Sequence, residues 1–391
     1  MSNQVKKISK GSSSVPKRRG KRLISIAVIL ILVLVILGIG TLLGASIYFS
    51  NSILQVPDYT TPTYNTLVLA VSDKTVTLKR VGDDIHPGEF EIEWPEGQAL
   101  VGSTISLGAN SVTRQLLLKT APLSAGTSVF WTRYVYTGQI RNSLGLSIST
   151  VQVPDPLGMM PAWYVPGKLS TWAILVHGRG STRDEALRAF TPLSQLDLPL
   201  LSISYRNNIG APYSSDSANH LGDSEWLDLE AAVKYALAHG AQHVVLYGWS
   251  EGGAIVEVFM HQSSLAHVVQ ALVLDAPILD WTETFVYQAQ KMSVPGFLVN
   301  TAELVTSIRS GINFADLDQT NQPQPNVPIL LFHGVNDTST PVTVSDAFAK
   351  AHPDLVTYVR VPGVDHTEAW NANPQVYNNE LTTFLKQKLS L

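Results

Sequence analysis

The sequence of 391 residues contains no cysteine, and this absence excludes several kinds of structure and chemistry. Without thiols there is no disulfide framework, no thiolate zinc site and no cysteine nucleophile. Histidine occurs ten times, but no H-E-x-x-H or similar cluster has the spacing of a metal site. We therefore expect neither a catalytic metal nor a thiol-based mechanism.

Charge is also scarce, at 15% of the residues, and the formal net charge is −4. A protein that binds nucleic acid normally carries a basic face on its folded part. Here the most concentrated basic residues lie within the first 22 positions. We therefore expect no nucleic-acid partner. The length leaves room for one large domain or two smaller ones, and the sequence does not indicate an oligomeric state.

Residues 23–49 form an uncharged, strongly apolar run directly after the basic segment. A helix of this length measures about 40 Å, enough to cross a bilayer core of about 30 Å. The run exceeds the roughly 7–15 apolar residues of a cleaved signal peptide. Because basic flanks stay in the cytoplasm, the sequence predicts a cytoplasmic tail at 1–22, a single-pass membrane helix at 23–49 and an extracytoplasmic remainder. Cleavage near Gly44-Ala45-Ser46, which would release a secreted protein, stays open as an alternative.

Residues 50–153 consist of short, alternating, β-branched segments separated by turns, which predicts a small β-rich module. The last predicted strand of this module is 146–153. The module contains no metal, phosphate-loop or nucleophile motif, and we expect its His86 to be a loop residue. Its role as a spacer, a wall over an active site or a partner-binding unit stays open.

From residue 154 to 391, apolar strands alternate with amphipathic helix-length segments. This rhythm predicts a mostly parallel sheet covered by helices on both faces. In such sheets the reactive groups lie beyond the carboxyl ends of the strands. The predicted strands that matter for chemistry are 172–177, 243–248, 328–332 and 355–361.

Ser250 lies in a G-x-S-x-G motif between the apolar strand 243–248 and a predicted helix. This motif marks a sharp turn that presents the serine hydroxyl above the sheet. Gly248 and Gly252 leave space where side chains would collide with the backbone. The helix that follows offers free N–H groups and its positive dipole end to a developing oxyanion. We therefore predict Ser250 as a nucleophile.

A serine hydroxyl needs a neighbouring base that removes its proton, and in this chain order the acid and then the histidine follow the serine. Asp337 follows the strand 328–332, and His366 follows the strand 355–361. We predict His366 as the general base and Asp337 as the acid that orients it. Asp275 and Asp280, which follow the strand after the nucleophile, remain alternatives for the acid.

Three neighbouring polar residues have simpler explanations. We expect Asp365 to be a loop or capping residue, Glu368 to be solvated or at a helix start, and His333 to be structural.

A second glycine-rich turn, Gly178-Arg179-Gly180, follows the strand 172–177. Backbone amides are natural donors to an oxyanion, and we assign this role to the N–H groups of Arg179 and Glu251. The Arg179 side chain binds either a substrate anion or, as we favour, a nearby acid of the protein. Trp249, Tyr205 and Trp370 are candidates for lining the cleft.

Residues 279–326 form an insertion far longer than a usual connection of about 2–6 residues. Helix-like pieces at 283–291 and 298–309 carry aromatic and aliphatic side chains. This composition suits an apolar cap over a substrate.

These motifs resemble the α/β-hydrolase superfamily, and within it bacterial extracytoplasmic hydrolases related to the serine aminopeptidase group. The resemblance covers roughly residues 155–391 and implies hydrolysis of a carboxylic ester or related bond without a cofactor. Glu251 departs from the methionine or glutamine common in that position. The main matching stretches are Leu175-Val176-His177-Gly178-Arg179-Gly180, Tyr247-Gly248-Trp249-Ser250-Glu251-Gly252-Gly253, His333-Gly334-Val335-Asn336-Asp337 and Gly363-Val364-Asp365-His366.

The sequence thus predicts an α/β-hydrolase fold preceded by a β-rich module and one transmembrane helix. The expected function is a membrane-anchored serine hydrolase that acts on a small-molecule or lipid-like acyl substrate. A peptidase or acyl-thioesterase with the same triad, and a non-catalytic scaffold that retains the fold, remain alternatives.

Overall fold

The computed structural model describes residues 18–57 and 62–391, with the backbone alone at 18–22 and Asp84. Most of the predicted cytoplasmic tail, residues 1–17, lies outside the described residues. The described chain forms one N-terminal helix, a small barrel of strands and a large sheet covered by helices.

The N-terminal helix α1 (Arg18–Leu54) contains one segment, Leu23–Leu54, that is long and apolar enough to cross a membrane by length and composition. All side chains from 23 to 41 are exposed. Beyond them a helical stripe that includes Ser46, Ser50 and Ile53 is buried. The helix therefore continues past the predicted end at residue 49, because no charge or helix breaker interrupts it there.

Six antiparallel strands form a closed barrel in the order β1-β2-β5-β4-β3-β6. The barrel is filled by apolar side chains that alternate along each strand, among them Val68, Phe90 and Ile92. Closure leaves no free strand edge. The strands are β1 (Thr66–Val71), β2 (Thr75–Lys79), β3 (Phe90–Trp94), β4 (Gly97–Leu107), β5 (Ser111–Lys119) and β6 (Ser128–Thr132).

One strand assigned to this module from sequence belongs to the large sheet instead. β7 (Ser149–Asp155) pairs antiparallel with β8 (Gly158–Val165), and β8 in turn pairs with the body of the sheet. The predicted boundary at 153/154 is therefore wrong, since it cuts through β7. A half-exposed edge strand has the same alternating pattern as a barrel strand, so the sequence does not separate the two.

The large sheet has eight strands in the order β14-β13-β12-β11-β9-β10-β8-β7. All strands from β9 to β14 run parallel, whereas β7 and β8 form the antiparallel edge. The six parallel strands are β9 (Thr171–Val176), β10 (Leu200–Ile203), β11 (His243–Trp249), β12 (Val269–Asp275), β13 (Ile329–Gly334) and β14 (Val356–Val361).

Helices cover both faces of this sheet, and each face has its own apolar core. One core contains side chains of α3, α4 and α7, and the other contains side chains of α2 and α9. This architecture confirms the predicted α/β-hydrolase fold. The helices are α2 (Leu187–Ser194), α3 (Trp226–Ala238), α4 (Glu251–Gln262), α7 (Val342–Ala351), the short α8 (Ala369–Ala372) and α9 (Pro374–Leu389).

The insertion contains the two expected helices, α5 (Trp281–Lys291) and α6 (Gly296–Ser310). The C-terminal end of α1 packs along α6. Ser46 Oγ donates to Thr301 Oγ1 at 2.9 Å, and the Arg309 guanidinium donates to Ser50 Oγ at 2.7 Å. The end of the apolar helix is therefore part of the folded domain.

Glu257 on α4 is fully buried, and neither carboxyl oxygen has a hydrogen-bond partner. Burial raises its pKa from 4.5 to about 8. The folded state therefore holds a proton that the unfolded chain releases, and the stability it contributes is lost as pH rises from about 4.5 to about 8.

We expect Glu257→Met to reduce the decrease in stability between pH 5 and pH 9. The substitution should also raise the free energy of unfolding at pH 8–9 by about 1–3 kcal/mol. Urea denaturation across pH 5–9 measures the effect. Glu380→Met, on the exposed side of α9, is the control, because it removes a carboxylate that is solvated in the folded state. An identical pH slope in wild type and Glu257→Met contradicts the prediction.

Candidate active site

Ser250 occupies the turn between β11 and α4 with a φ of 52° and a ψ of −118°. This left-handed conformation is strained for a residue with a side chain and persists where packing imposes it. A Cβ on Gly252 would lie 2.1 Å from the carbonyl oxygen of Val176, and one on Gly248 would lie 2.4 Å from that of Gly252. The close approach of three backbone segments therefore requires both glycines of the motif.

The loops after β13 and β14 bring Asp337 and His366 to the same edge of the sheet as Ser250. His366 Nε2 lies 2.9 Å from Ser250 Oγ, and His366 Nδ1 lies 2.7 Å from Asp337 Oδ2. In the tautomer that matches this geometry, the hydroxyl donates to Nε2 and Nδ1–H donates to the carboxylate. The structure thus brings the three predicted catalytic side chains together in hydrogen-bonding sequence.

The surroundings of Asp337 stabilise its ionised form. Its Oδ1 accepts from the backbone N–H groups of Ser339 and Thr340, both at 2.7 Å. Burial raises the pKa of Asp337, but His366 and His333 outweigh burial and hold it well below its usual range. A permanently ionised carboxylate is what an imidazolium partner requires. His333, expected to be structural, lies 3.2 Å from the same carboxylate.

The two alternative acids are bound elsewhere. Asp275 is buried and accepts from the hydroxyl of Tyr377 at 2.8 Å, and burial raises its pKa to about 6. Asp280 caps α5 by accepting from the N–H of Glu283 at 3.1 Å. Neither carboxylate has a hydrogen bond to His366 among the described contacts.

The loop that carries His366 is held from both sides. Asp365 accepts from the N–H of Thr338 and from that of His366, both at 2.7 Å. It thereby joins the loop after β13, which carries Asp337 (the acid loop), to the loop after β14, which carries His366 (the histidine loop). Arg133, directly after the barrel, donates to the carbonyl of His366.

Glu368 is buried and directly precedes α8, so of the two expected positions it occupies the helix start. Its Oε2 lies 2.7 Å from Nδ1 of His86, and this hydrogen bond raises the pKa of His86. Arg133 Nε lies 3.7 Å from the other carboxylate oxygen, Oε1. His86 does lie in a loop, and it ties the barrel to the histidine loop.

A network of buried polar side chains links the barrel and the histidine loop to the turn after β9. The Asn371 amide donates to the carbonyl of Glu89 at 2.7 Å, while its oxygen accepts from Arg188 at 2.9 Å. Arg188 also pairs with Glu185 at 3.2 Å, and Glu185 accepts from the N–H of Gly178 at 2.7 Å. Glu89, the Glu185–Arg188 pair and Asn371 are distant from one another in sequence and form no motif, so sequence reasoning missed them.

The turn after β9 lies directly against the serine. A Cβ on Gly178 would be 2.9 Å from that of Ser250. Among the described residues, the N–H groups of Arg179 and Glu251 donate to no protein acceptor. Their role as oxyanion donors stays a prediction. A cleft of about 230 Å³ lies here, lined by polar groups that include Ser250, His366 and Glu185.

The side chains of Arg179 and Glu251 both have partners within the protein. The Arg179 guanidinium donates to the carbonyl oxygens of Ser52, Ile53 and Gln55 at 2.8–2.9 Å, at the end of α1. The favoured structural role is therefore met, but the hydrogen-bond partners are unpaired carbonyl groups of the helix end and not an acid.

Glu251 is fully buried and accepts from the Asn219 amide at 2.7 Å. Burial raises its pKa to about 7, so the side chain is only partly ionised at neutral pH.

The three aromatic candidates for the cleft lie in the core. Trp249 is fully buried and stacks on Tyr247 at 3.9 Å between centroids. Tyr205 stacks on His177 at 4.4 Å, and the Trp370 N–H donates to Asn378 at 3.1 Å. In the described part of the chain, no group of three or more histidine or acidic side chains has metal-binding geometry.

Two family comparisons match separate parts of the chain. Residues 201–391, slightly less than half of the chain, match the Prolyl oligopeptidase family and include Ser250, Asp337 and His366. Residues 67–132, which span the barrel, match a domain of unknown function, DUF8805. No curated protein matches the whole sequence or a part of it.

One solved structure shares the fold, and two others have a weaker likeness to the chain. The Pyrococcus furiosus esterase Pf2001 is 18% identical, with a TM-score of 0.50, over 63% of this chain and 93% of that one. Est1E of Butyrivibrio proteoclasticus, solved with ferulic acid, is 15% identical, with a TM-score of 0.48, over 62% and 100%. XC6422 of Xanthomonas campestris, described as an α/β serine hydrolase without a lid, is 16% identical, with a TM-score of 0.44, over 62% and 94%.

We expect Asp337→Asn to lower kcat by about 10⁴-fold, because the histidine loses its orienting acceptor and its tautomer. Asp275→Asn should keep kcat within about tenfold of wild type, since that side chain bonds to Tyr377. Steady-state hydrolysis of a p-nitrophenyl ester compares them, with circular dichroism as the check on folding. An equal loss of kcat in both variants would contradict the assignment of Asp337 as the acid that orients His366.

Proposed function

We propose that this chain, a serine hydrolase of the α/β-hydrolase superfamily, cleaves carboxylic esters through an acyl-enzyme on Ser250. The observation that carries the proposal is the His366 imidazole, which lies 2.9 Å from the Ser250 hydroxyl and 2.7 Å from the ionised Asp337. This arrangement activates an alcohol that is otherwise a weak nucleophile.

In the proposed mechanism, Ser250 Oγ attacks the ester carbonyl carbon while its proton passes to His366 Nε2. The N–H groups of Arg179 and Glu251 donate to the resulting oxyanion. The intermediate collapses with loss of the alcohol, which takes the proton from the imidazolium. Water then attacks the acyl-enzyme by the same route and regenerates the serine.

A peptidase is the second candidate function, and the match of residues 201–391 to the Prolyl oligopeptidase family favours it. An acyl-thioesterase would use the same three side chains. Rates on p-nitrophenyl esters, aminoacyl-anilides and acyl-thioesters separate these activities, because each series changes only the bond that is broken. The esterase proposal expects the highest kcat/KM on the esters.

We further propose that α1 anchors the protein in the cell membrane with its basic end in the cytoplasm. Residues 23–43 alone span about 30 Å as a helix, and those from 23 to 41 are exposed, uncharged and mostly apolar. The segment near Ala45, where a signal peptidase would cut, lies within the continuous helix that packs on α6. Cleavage there would divide an element that the catalytic domain uses.

A fluorophosphonate probe should label the wild-type protein and leave Ser250→Ala unlabelled, because the probe reacts only with an activated serine. Ser263→Ala is the matched control, since Ser250 and Ser263 are each 8% exposed. It should label at the wild-type rate. A folded wild type that neither labels nor hydrolyses esters would instead support a non-catalytic scaffold.

Protease added to intact cells should digest most of the chain if the orientation is right, because the catalytic domain lies outside. The protein should also remain in the membrane fraction after alkaline carbonate extraction. A cytoplasmic protein of the same cells serves as the control for lysis. A protected chain, or release into the medium, contradicts the anchored topology.

A further inference from the structure

A second cavity, of about 260 Å³, lies beside the catalytic cleft. Its lining is mostly apolar. The side chains that matter here are Phe49, Ile53, Phe285, Ala289, Met292 and Leu298.

The cavity borders the reacting serine through shared residues. Arg179 lines both this cavity and the catalytic cleft. Gln288 lines the cavity and donates from its side-chain amide to the carbonyl of Ser339, which lines the cleft, at 2.7 Å. An acyl group held at Ser250 therefore lies next to the apolar space.

The contrast between the two spaces indicates which part of a substrate enters each. The catalytic cleft is lined by ionisable groups such as Arg133, Glu185 and His366, so it suits the polar ester group. A chain of methylenes gains free energy only where it leaves water for an apolar wall. The cavity between α1, α5 and α6 supplies that wall.

Apolar surface surrounds this cavity on the side of the membrane helix. Phe297, Leu304 and Ile308 of α6 are 60%, 60% and 76% exposed, and their spacing of seven and four places them on one helical face. Met292 lines the cavity and is itself 60% exposed. This face adjoins the outer end of α1, and the earlier part of that helix, residues 23–41, is exposed and mostly apolar.

We infer that the cavity binds the acyl chain of an ester-bearing amphiphile that enters from the membrane holding α1. The outer end of the anchor helix is then a wall of the substrate site as well as a tether. This inference rests on the proposed esterase function and names its substrate class.

The first test fills the cavity in the full-length protein, embedded in mixed micelles with phospholipid. The readout is the ratio of kcat/KM on p-nitrophenyl decanoate to that on the acetate. In the wild type we expect kcat/KM to rise about fourfold per added methylene until the cavity is full. Ala289→Phe places a ring in the cavity and should lower the ratio at least tenfold. Ala347→Phe, on the exposed side of α7, is the matched control and should keep the wild-type ratio.

The second test asks whether the anchor helix itself contributes. Phe49→Ala removes a ring that lines the cavity and should lower the ratio several-fold. Tyr48→Ala removes a neighbouring aromatic side chain that is 70% exposed, and should leave the ratio unchanged. Equal losses in the two variants would contradict a specific role for the cavity wall.

The third test identifies the source of the substrate. Extra phospholipid is added to the micelles at a constant total concentration of decanoate ester, which dilutes the ester within the lipid phase. Turnover should fall in proportion if the ester arrives through lipid, and unchanged turnover overturns the membrane route.

Failure of the inference is distinguishable from failure of the proposed function. Ester turnover that depends on Ser250, with the same decanoate-to-acetate ratio in wild type, Ala289→Phe and Phe49→Ala, overturns the acyl cavity and leaves the esterase intact. Absence of both ester turnover and phosphonate labelling overturns the two together.

Discussion

The geometry of the site depends on one close contact, the packing of the Gly248–Gly252 turn against the end of β9. With no Cβ at Gly252, its backbone reaches the carbonyl oxygen of Val176, and Ser250 is forced into a left-handed conformation above the sheet. Because β9 and β11 are parallel neighbours, the turn after β9 comes to lie against the same serine. The hydroxyl and the two candidate oxyanion amides are thereby positioned by close packing of backbone segments, which leaves little room for movement.

Away from this turn, the site is held by buried charge. Glu185 and Arg188 are buried together, and such pairs are stable only when their remaining donors and acceptors are satisfied. Here they are satisfied by the Gly178 amide, the carbonyl of Thr367 and the side chain of Asn371. Through Asn371 and Glu368 the same set reaches the barrel. In a chain without disulfides, this network gives the barrel a structural connection to the histidine loop.

The N-terminal helix is coupled to the site in a similar way. The Arg179 guanidinium binds three carbonyl oxygens at its end, where cations are favoured, while the backbone of the same residue lies at the serine. The insertion at 279–326 also contacts the acid loop, since the Tyr287 hydroxyl donates to the carbonyl of Asp337 at 2.8 Å. A soluble fragment that begins near residue 51 would keep the three catalytic candidates and lose part of what surrounds them.

The sequence alone determined what depends on local order: the apolar helix, the parallel αβ rhythm, the serine turn, and the placing of Asp337 and His366 after successive strands. Those features follow from short-range patterning, because parallel strands put their carboxyl ends at one edge whatever else packs around them. Tertiary structure decided the rest. It assigned β7 to the large sheet, took Trp249 into the core, gave Arg179 a helix end as its partner, and made residues 46–54 part of the domain. Residues 46–54, for example, join the domain through contacts such as that between Ser46 and Thr301, which are 255 positions apart, and no local pattern encodes such contacts.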